Sequence, residues 1–255
     1  MVVKTLVGAV EYPASDGQPI AETGIHVHAI LTLYSILRTF YRHRPDVYVA
    51  ANMFMYYEEG NPKRVVAPDV FVVFGAADAR TERRSWFVWR EGKAPDVIFE
   101  FTSKSTKEED TDTKRALYEQ LGVNEYFLFD PLDEYLQPRL QGFRLAGKQY
   151  QPVPMRRGEL KSQMLGLVFR AVGSELRLFD RASGTRLLPP PELAEANLEL
   201  HTQLDEVTAY AEQEALARQQ AEARAEQEAQ ARQVAEAELI RLRAELARLK
   251  GEKPE

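Results

Sequence analysis

Two carboxylates stand where a carboxylate is expensive. Glu100 interrupts the apolar run VIFEF at 97–101, and Asp69 follows a proline at the head of VFVVF at 70–74. A charge inside an otherwise apolar strand needs a charged partner or a metal ion. Both acids belong to near-identical phrases, APDVF at 67–71 and APDVI at 94–98, although in the second the acid of interest lies beyond its own aspartate, Asp96. Carboxylates at neighbouring strand positions can hold one Mg2+ or Mn2+ through oxygen and leave positions open for water and phosphate. The chemistry served would be phosphodiester hydrolysis. Plainer readings stand beside it: Asp69 and Asp96 as Pro-Asp turn caps, and Glu100 as one arm of an internal salt bridge.

Downstream, Asp110, Lys114 and Tyr118 recur at helical spacing and share one face. A lysine on that face, pointing back across a sheet, could stabilise charge on a phosphoryl group or position an attacking water. A solvated Asp-Lys surface pair would look the same. Two basic groups, Arg38-Arg42-Arg44 and Arg80-Arg83-Arg84, could flank a nucleic-acid cleft, with Trp86 and Trp89 to stack on bases. Solvated surface and hydrophobic packing are the commoner fates of such residues. His26 and His28 are two apart, a poor spacing for joint ligation from one helix face, which favours packing or capping.

The elements that must position these residues read as a mixed α/β domain. Apolar residues from Ile25 to Tyr41 recur at helical spacing and predict a helix over 24–43, ending before Pro45. VYVAANMFMYY at 47–57, VFVVF, VIFEF and EYFLF at 125–129 are rich in β-branched and aromatic residues and read as strands. A helix is expected over 108–121 with Gly122 at its C-cap. Because it joins two strands as a crossover, those strands should pair in parallel. Short strands follow, and LVFRAVGSELRLFD, with its Gly-Ser turn, suggests a hairpin.

Charge divides the chain near Pro189-Pro190-Pro191. The last 65 of the 255 residues hold 15 acids and 8 bases, and the first 190 hold 24 and 25, so the formal charge of -6 belongs to the tail. We therefore expect a domain at 1–190 and a helical tail at 191–255. Leu193, Leu200, Leu204, Val207, Ala211, Ala221, Ala225, Ala235, Leu239, Leu242, Leu246 and Leu249 fit one heptad frame, interrupted by Glu214, Arg218, Glu228 and Arg232. The phrase AEQEALARQQAEA at 211–223 returns as AEQEAQARQVAEA at 225–237. This pattern suits a coiled coil, expected as a homo-oligomer, such as a dimer, through residues 192–250. A solvated single helix held by Glu-Arg pairs four apart is the alternative. With no cysteine, disulfides, zinc-thiolate sites and thiol nucleophiles are excluded. With no long apolar run and no signal-like start, a soluble cytoplasmic protein without membrane contact is expected.

The stretch from Val66 to Pro131, with VAPDVFVVFG and then APDVIFEFTSKSTKEEDTDTKRALYEQLGVNEYFLFDP, resembles the Uma-two family of restriction endonucleases, a branch of the PD-(D/E)xK nuclease superfamily. The likeness extends over nearly all of the first 190 residues. It implies a restriction endonuclease-like fold, a mixed sheet flanked by helices, and a Mg2+-dependent endonuclease acting on DNA. It assigns Asp69 and Glu100 as metal ligands, with the backbone carbonyl of Phe101, and an acid before the first helix, Glu22, that could approach the metal. Glu22 could equally be a helix-start acid favoured by the macrodipole. The lysine position two residues after Glu100 is Thr102 here, a departure from the superfamily pattern. The family's migrated lysine points to Lys114, to orient the attacking water, with Lys104 as a rival. A nuclease-like protein without turnover, assembled through its tail, is the alternative function.

Overall fold

A computed structural model describes residues 4–7, 10–14 and 23–250. In chain order its elements are β1 (Lys4–Val7), β2 (Val10–Pro13), α1 (Gly24–Phe40), β3 (Val47–Ala51), β4 (Met55–Tyr56), β5 (Val65–Val66), β6 (Val70–Phe74), β7 (Trp86–Phe87), α2 (Val88–Glu91) and β8 (Val97–Phe101). A π-helical turn, Glu109–Lys114, then runs into α3 (Arg115–Gln120), followed by β9 (Glu125–Phe129), β10 (Leu140–Ala146) and β11 (Gln149–Pro152). The last elements are β12 (Glu159–Lys161), β13 (Leu167–Val172), β14 (Glu175–Asp180), β15 (Arg186–Leu187) and α4 (Pro190–Lys250). Two compact units result, 1–193 and 194–255.

The first unit is built on a six-stranded sheet of order β11-β10-β9-β8-β6-β3. Only β8 and β9 pair in parallel, as the intervening helix requires, and the other neighbours are antiparallel. Both faces of its central strands are covered, which is why VFVVF, VIFEF and EYFLF read as unbroken apolar runs. On one face Val70, Val72, Val97, Phe99 and Phe127 meet Ile30, Leu33 and Leu37 of α1 and Leu167, Phe169 and Leu178 of the four-stranded sheet β12-β13-β14-β15. On the other, Phe71, Val73, Ile98, Tyr126 and Leu128 meet Tyr118 of α3. Gly142 in β10 admits the ring of Phe127, since a Cβ there would lie 2.8 Å from it.

The expected elements are present with differences of extent, and β1, β2, β5, β7, α2 and β15 join them. The α1 helix opens on Thr23, whose hydroxyl accepts the His26 N–H, and stops at Phe40. The run 47–57 is two strands in separate sheets: Asn52 takes φ 47°, turning the chain after β3. The β13–β14 hairpin turns at Gly173-Ser174. Gly122, at φ 76°, ends the helix after α3. In the second unit Leu200, Leu204, Leu239, Leu242 and Leu246 of α4 stand exposed, Leu200 by 61% and Leu246 by 53%. Among the described residues no helix is long and apolar enough to cross a membrane.

Candidate active site

The register of β6 on β8 sets the site. Val70 pairs with Phe99, so one further step along the antiparallel pair brings Asp69 opposite Glu100, and side chains at opposed positions leave the same face. The two acids are stitched together by the backbone. The Asp69 N–H donates to Glu100 Oε2 at 3.3 Å, and the Phe101 N–H donates to Asp69 Oδ2 at 2.7 Å. Glu100 is 1% exposed, whereas the Asp69 side chain, at the strand end, keeps 13%.

The helical segment supplies the opposite charge. Lys114 Nζ lies 3.1 Å from Glu100 Oε2 and donates to Asp110 Oδ1 at 2.9 Å. Tyr118 donates its hydroxyl to Glu100 Oε1 at 2.7 Å, and Tyr126 donates to the Asp110 carbonyl at 2.9 Å. These three helix residues reach one place because the helix changes pitch. In an α-helix a residue four positions on overshoots the face by roughly 40°, from 3.6 residues per turn. The slower-winding π turn at Glu109–Lys114 undershoots instead, so the drift between Asp110 and Lys114 opposes that between Lys114 and Tyr118. All three are buried. The surface-pair reading of Asp110 and Lys114 is thus excluded by burial.

Burial pushes the Glu100 carboxyl well above its ordinary range; Lys114 opposes the shift, and the charges of Asp69 and Asp110 add to it. Asp110 is raised too, again chiefly by burial. For Lys114, burial works against the charged form but Glu100 and Asp110 overcome it, so its ammonium is held above the usual range. Two carboxylates therefore contact one ammonium, and the charge of Asp69 adds to theirs. Asp110 Oδ2 and Thr102 Oγ1 are also buried without a hydrogen-bond partner among the described residues. Unsatisfied oxygens beside excess negative charge suit a hard divalent cation and its waters. The fit is partial in one respect: among the described residues no three acidic or histidine side chains are arranged to enclose an ion. Side-chain ligation would rest on Asp69 and Glu100, with backbone carbonyl, water or substrate completing the shell, as Mg2+ tolerates.

Other candidates fall as follows. The N–H of Phe101, not its carbonyl, is the group bound to Asp69. Glu22 lies outside the described residues. Lys104 is exposed in the turn after β8, which ends at Phe101, so shared strand parity with Glu100 does not extend to it. Asp96, at the other end of β8, is held by Lys93 at 2.7 Å, the Phe74 N–H and Asn124, a structural role. Trp86 is fully buried and donates to the Lys93 carbonyl, which removes it from base stacking. Sequence spacing gave no weight to His26. In the fold its Nε2 lies 3.6 Å from Asp69 Oδ2. His26 and Thr102 also line a cleft of about 520 Å³ whose rim carries Ser103, Lys104, Ser105 and Thr106. His28 is exposed, near Thr32.

A helix, three antiparallel strands, a crossover helix and a parallel strand, with opposed acids at the ends of the second and third strands, form a restriction endonuclease-like fold. The chain belongs to the Uma2 family, described as "Putative restriction endonuclease", whose model matches residues 8–173. A similar solved structure is described as a putative nuclease belonging to DUF820 from Anabaena variabilis; it is 12% identical, with 58% of this chain and 77% of that chain covered and a TM-score of 0.43. No curated protein matches the chain.

Proposed function

We propose that the protein is a divalent-metal-dependent endonuclease that hydrolyses phosphodiester bonds of DNA. The observation that supports it most is the opposition of Asp69 and Glu100 across β6 and β8, with Lys114 on the second acid. Asp69 and Glu100, with the Phe101 carbonyl, would hold Mg2+ or Mn2+. When bound, such an ion supplies positive charge for the phosphoryl oxygens and makes water more acidic. Lys114 has three N–H donors, two of which face Glu100 and Asp110, so one remains to orient the attacking water. Tyr118 fixes the rotamer of Glu100 by binding the oxygen that Lys114 does not. Glu22 is proposed as a further acid near the metal, on the family resemblance alone.

The residues Lys104 and Ser103–Thr106 offer cationic and hydroxyl contacts for the strand on either side of the cut. We further propose that 1–190 is the nuclease domain and that residues 192–250 form a coiled-coil dimer, because Leu200, Leu204, Leu239, Leu242 and Leu246 of the heptad frame are exposed on α4. That exposure also favours a second reading, a nuclease-like protein that assembles without turnover.

The test is incubation of the purified full chain with supercoiled and linear DNA, with Mg2+, Mn2+ or chelator. Nicking or linearisation that needs the cation, and that Asp69→Ala and Glu100→Ala each abolish, is expected. Absence of cleavage on every DNA tried, together with no calorimetric binding of either cation, overturns the reading in favour of the assembly protein.

A further inference from the structure

Two basic segments far apart in sequence converge at the end of α1 remote from the carboxylates. A cavity of about 280 Å³ is lined by Arg38, Arg42 and Arg44 from the end of α1 and the turn after it, and by Arg80 and Glu82 from the loop before β7, over a floor that includes Tyr48. Arg38 Nη2 donates to Glu82 at 2.8 Å and so ties the segments together. Asp46 receives two hydrogen bonds from Arg44, at 2.9 and 2.8 Å. Two of the four guanidinia are therefore balanced by carboxylates. Among the described residues the Arg42 guanidinium donates only to His43, and the Arg80 guanidinium has no hydrogen-bond or ion-pair partner; both residues are exposed. The neighbouring Arg83 belongs to the scaffold, bound to Glu91 and to three carbonyls.

Ordinary solvated arginines do not need a concavity or a cross-segment tie. Two unbalanced guanidinia at the mouth of a cavity form a fork for phosphate oxygens. Two rulers measure the distance from the carboxylates. The helix α1 rises about 1.5 Å per residue, or about 18 Å from His26 to Arg38. The strand β6 rises about 3.4 Å per residue, or about 17 Å from Asp69 to Phe74, which pairs with Val47 on the cavity wall. A duplex advances about 3.4 Å per base pair, so the cavity stands about five base pairs from the carboxylates along that line.

We infer that this cavity is a second phosphate-binding site, taking the nucleic-acid backbone about five base pairs from the phosphate that is cut. The inference rests on the nuclease reading. It assigns Arg42 and Arg80 to substrate affinity, apart from the chemistry at Asp69 and Glu100.

The experiment compares full-length Glu100→Gln protein, silenced for cleavage, with the same protein also carrying Arg42→Ala and Arg80→Ala, by fluorescence anisotropy on a labelled duplex across a salt series. Removal of both arginines should weaken binding at least about tenfold at low salt. It should also lower the slope of log affinity against log salt by nearly two, at about 0.9 per phosphate contact. A version with Arg42→Lys and Arg80→Lys should keep the slope, which separates lost charge from lost structure. Equal affinity and slope in the alanine and parent proteins overturn the inference and leave the nuclease reading standing. Unchanged duplex binding beside arginine-dependent binding of inorganic phosphate also overturns it, making the cavity a small-anion site. Failure of every version to bind DNA overturns both readings.

Discussion

Substitution of Lys114 by methionine is the sharpest test of how the site is held. The ammonium is 3.1 Å from Glu100 and 2.9 Å from Asp110, with its side chain 11% exposed. At an effective dielectric of about 20, each contact is worth roughly 5 kcal/mol of Coulomb energy before desolvation is subtracted. Removing one partner from such a buried arrangement leaves its acids uncompensated, and the net cost is about 3–5 kcal/mol. That is a large part of the roughly 5–15 kcal/mol that holds a domain together. The assay is guanidinium unfolding at pH 7 in chelator, followed by tryptophan fluorescence, because Trp86 and Trp89 are the only tryptophans and both report on the first unit. If the cost is electrostatic, adding Glu100→Gln and Asp110→Asn to Lys114→Met should recover more than half of it. A loss below about 1 kcal/mol in the single variant, or a triple variant no more stable than the single one, would refute the reasoning.

Glu100→Gln should abolish cleavage and yet make the metal-free protein more stable at neutral pH. The folded carboxyl is raised above its unfolded value, so its contribution is favourable at low pH and is lost as pH rises through the folded value; unfolding from pH 4 to 8 should show a shallower decline in the variant, and an unchanged profile would contradict this. Tyr118→Phe should cost about 1.5–3 kcal/mol, the range for a hydrogen bond to a charged group, and lower kcat with little change in KM; unfolding and steady-state assays check both. Deletion of 194–255 should shift the sedimentation of the protein from dimer to monomer while cleavage persists; an unchanged mass would count against the heptad pairing.

Much of this was written in the residues. Glu100 stood out because an acid in an apolar strand breaks the pattern, and the fold gave it charged company. Glu125 shows why that signal is incomplete. It is equally buried at the head of EYFLF, but Arg144, the Ser162 hydroxyl and the Gln163 and Met164 N–H groups satisfy it, and these partners come from later in the chain. Nothing local to either acid tells the two apart. The run 47–57 reads as one strand because β-propensity carries no marker for the positive φ of Asn52. His26 was missed because its nearness to Asp69 arises from α1 crossing the sheet, which no spacing within the helix records. The heptads of the tail were plain because their signal is wholly local.

The π turn exposes the site to a kind of change that substitutions do not probe. Its i→i+5 bonding holds one residue more than an α-turn would. Loss of a single codon within 109–114 could therefore be absorbed by relaxation to ordinary α geometry, with the helix, the crossover and β9 retained. Where the lost residue lies between Asp110 and Lys114, the lysine would keep nearly its present bearing, because the π turn carries its extra residue without advancing the helix beyond it, whereas Asp110 would stand three residues from Lys114 in place of four. Such a deletion would leave the fold and the Lys114–Glu100 contact in place while changing the spacing of Asp110 to Lys114, so the extra residue of the π turn sets the acid pair and not the bearing of the lysine.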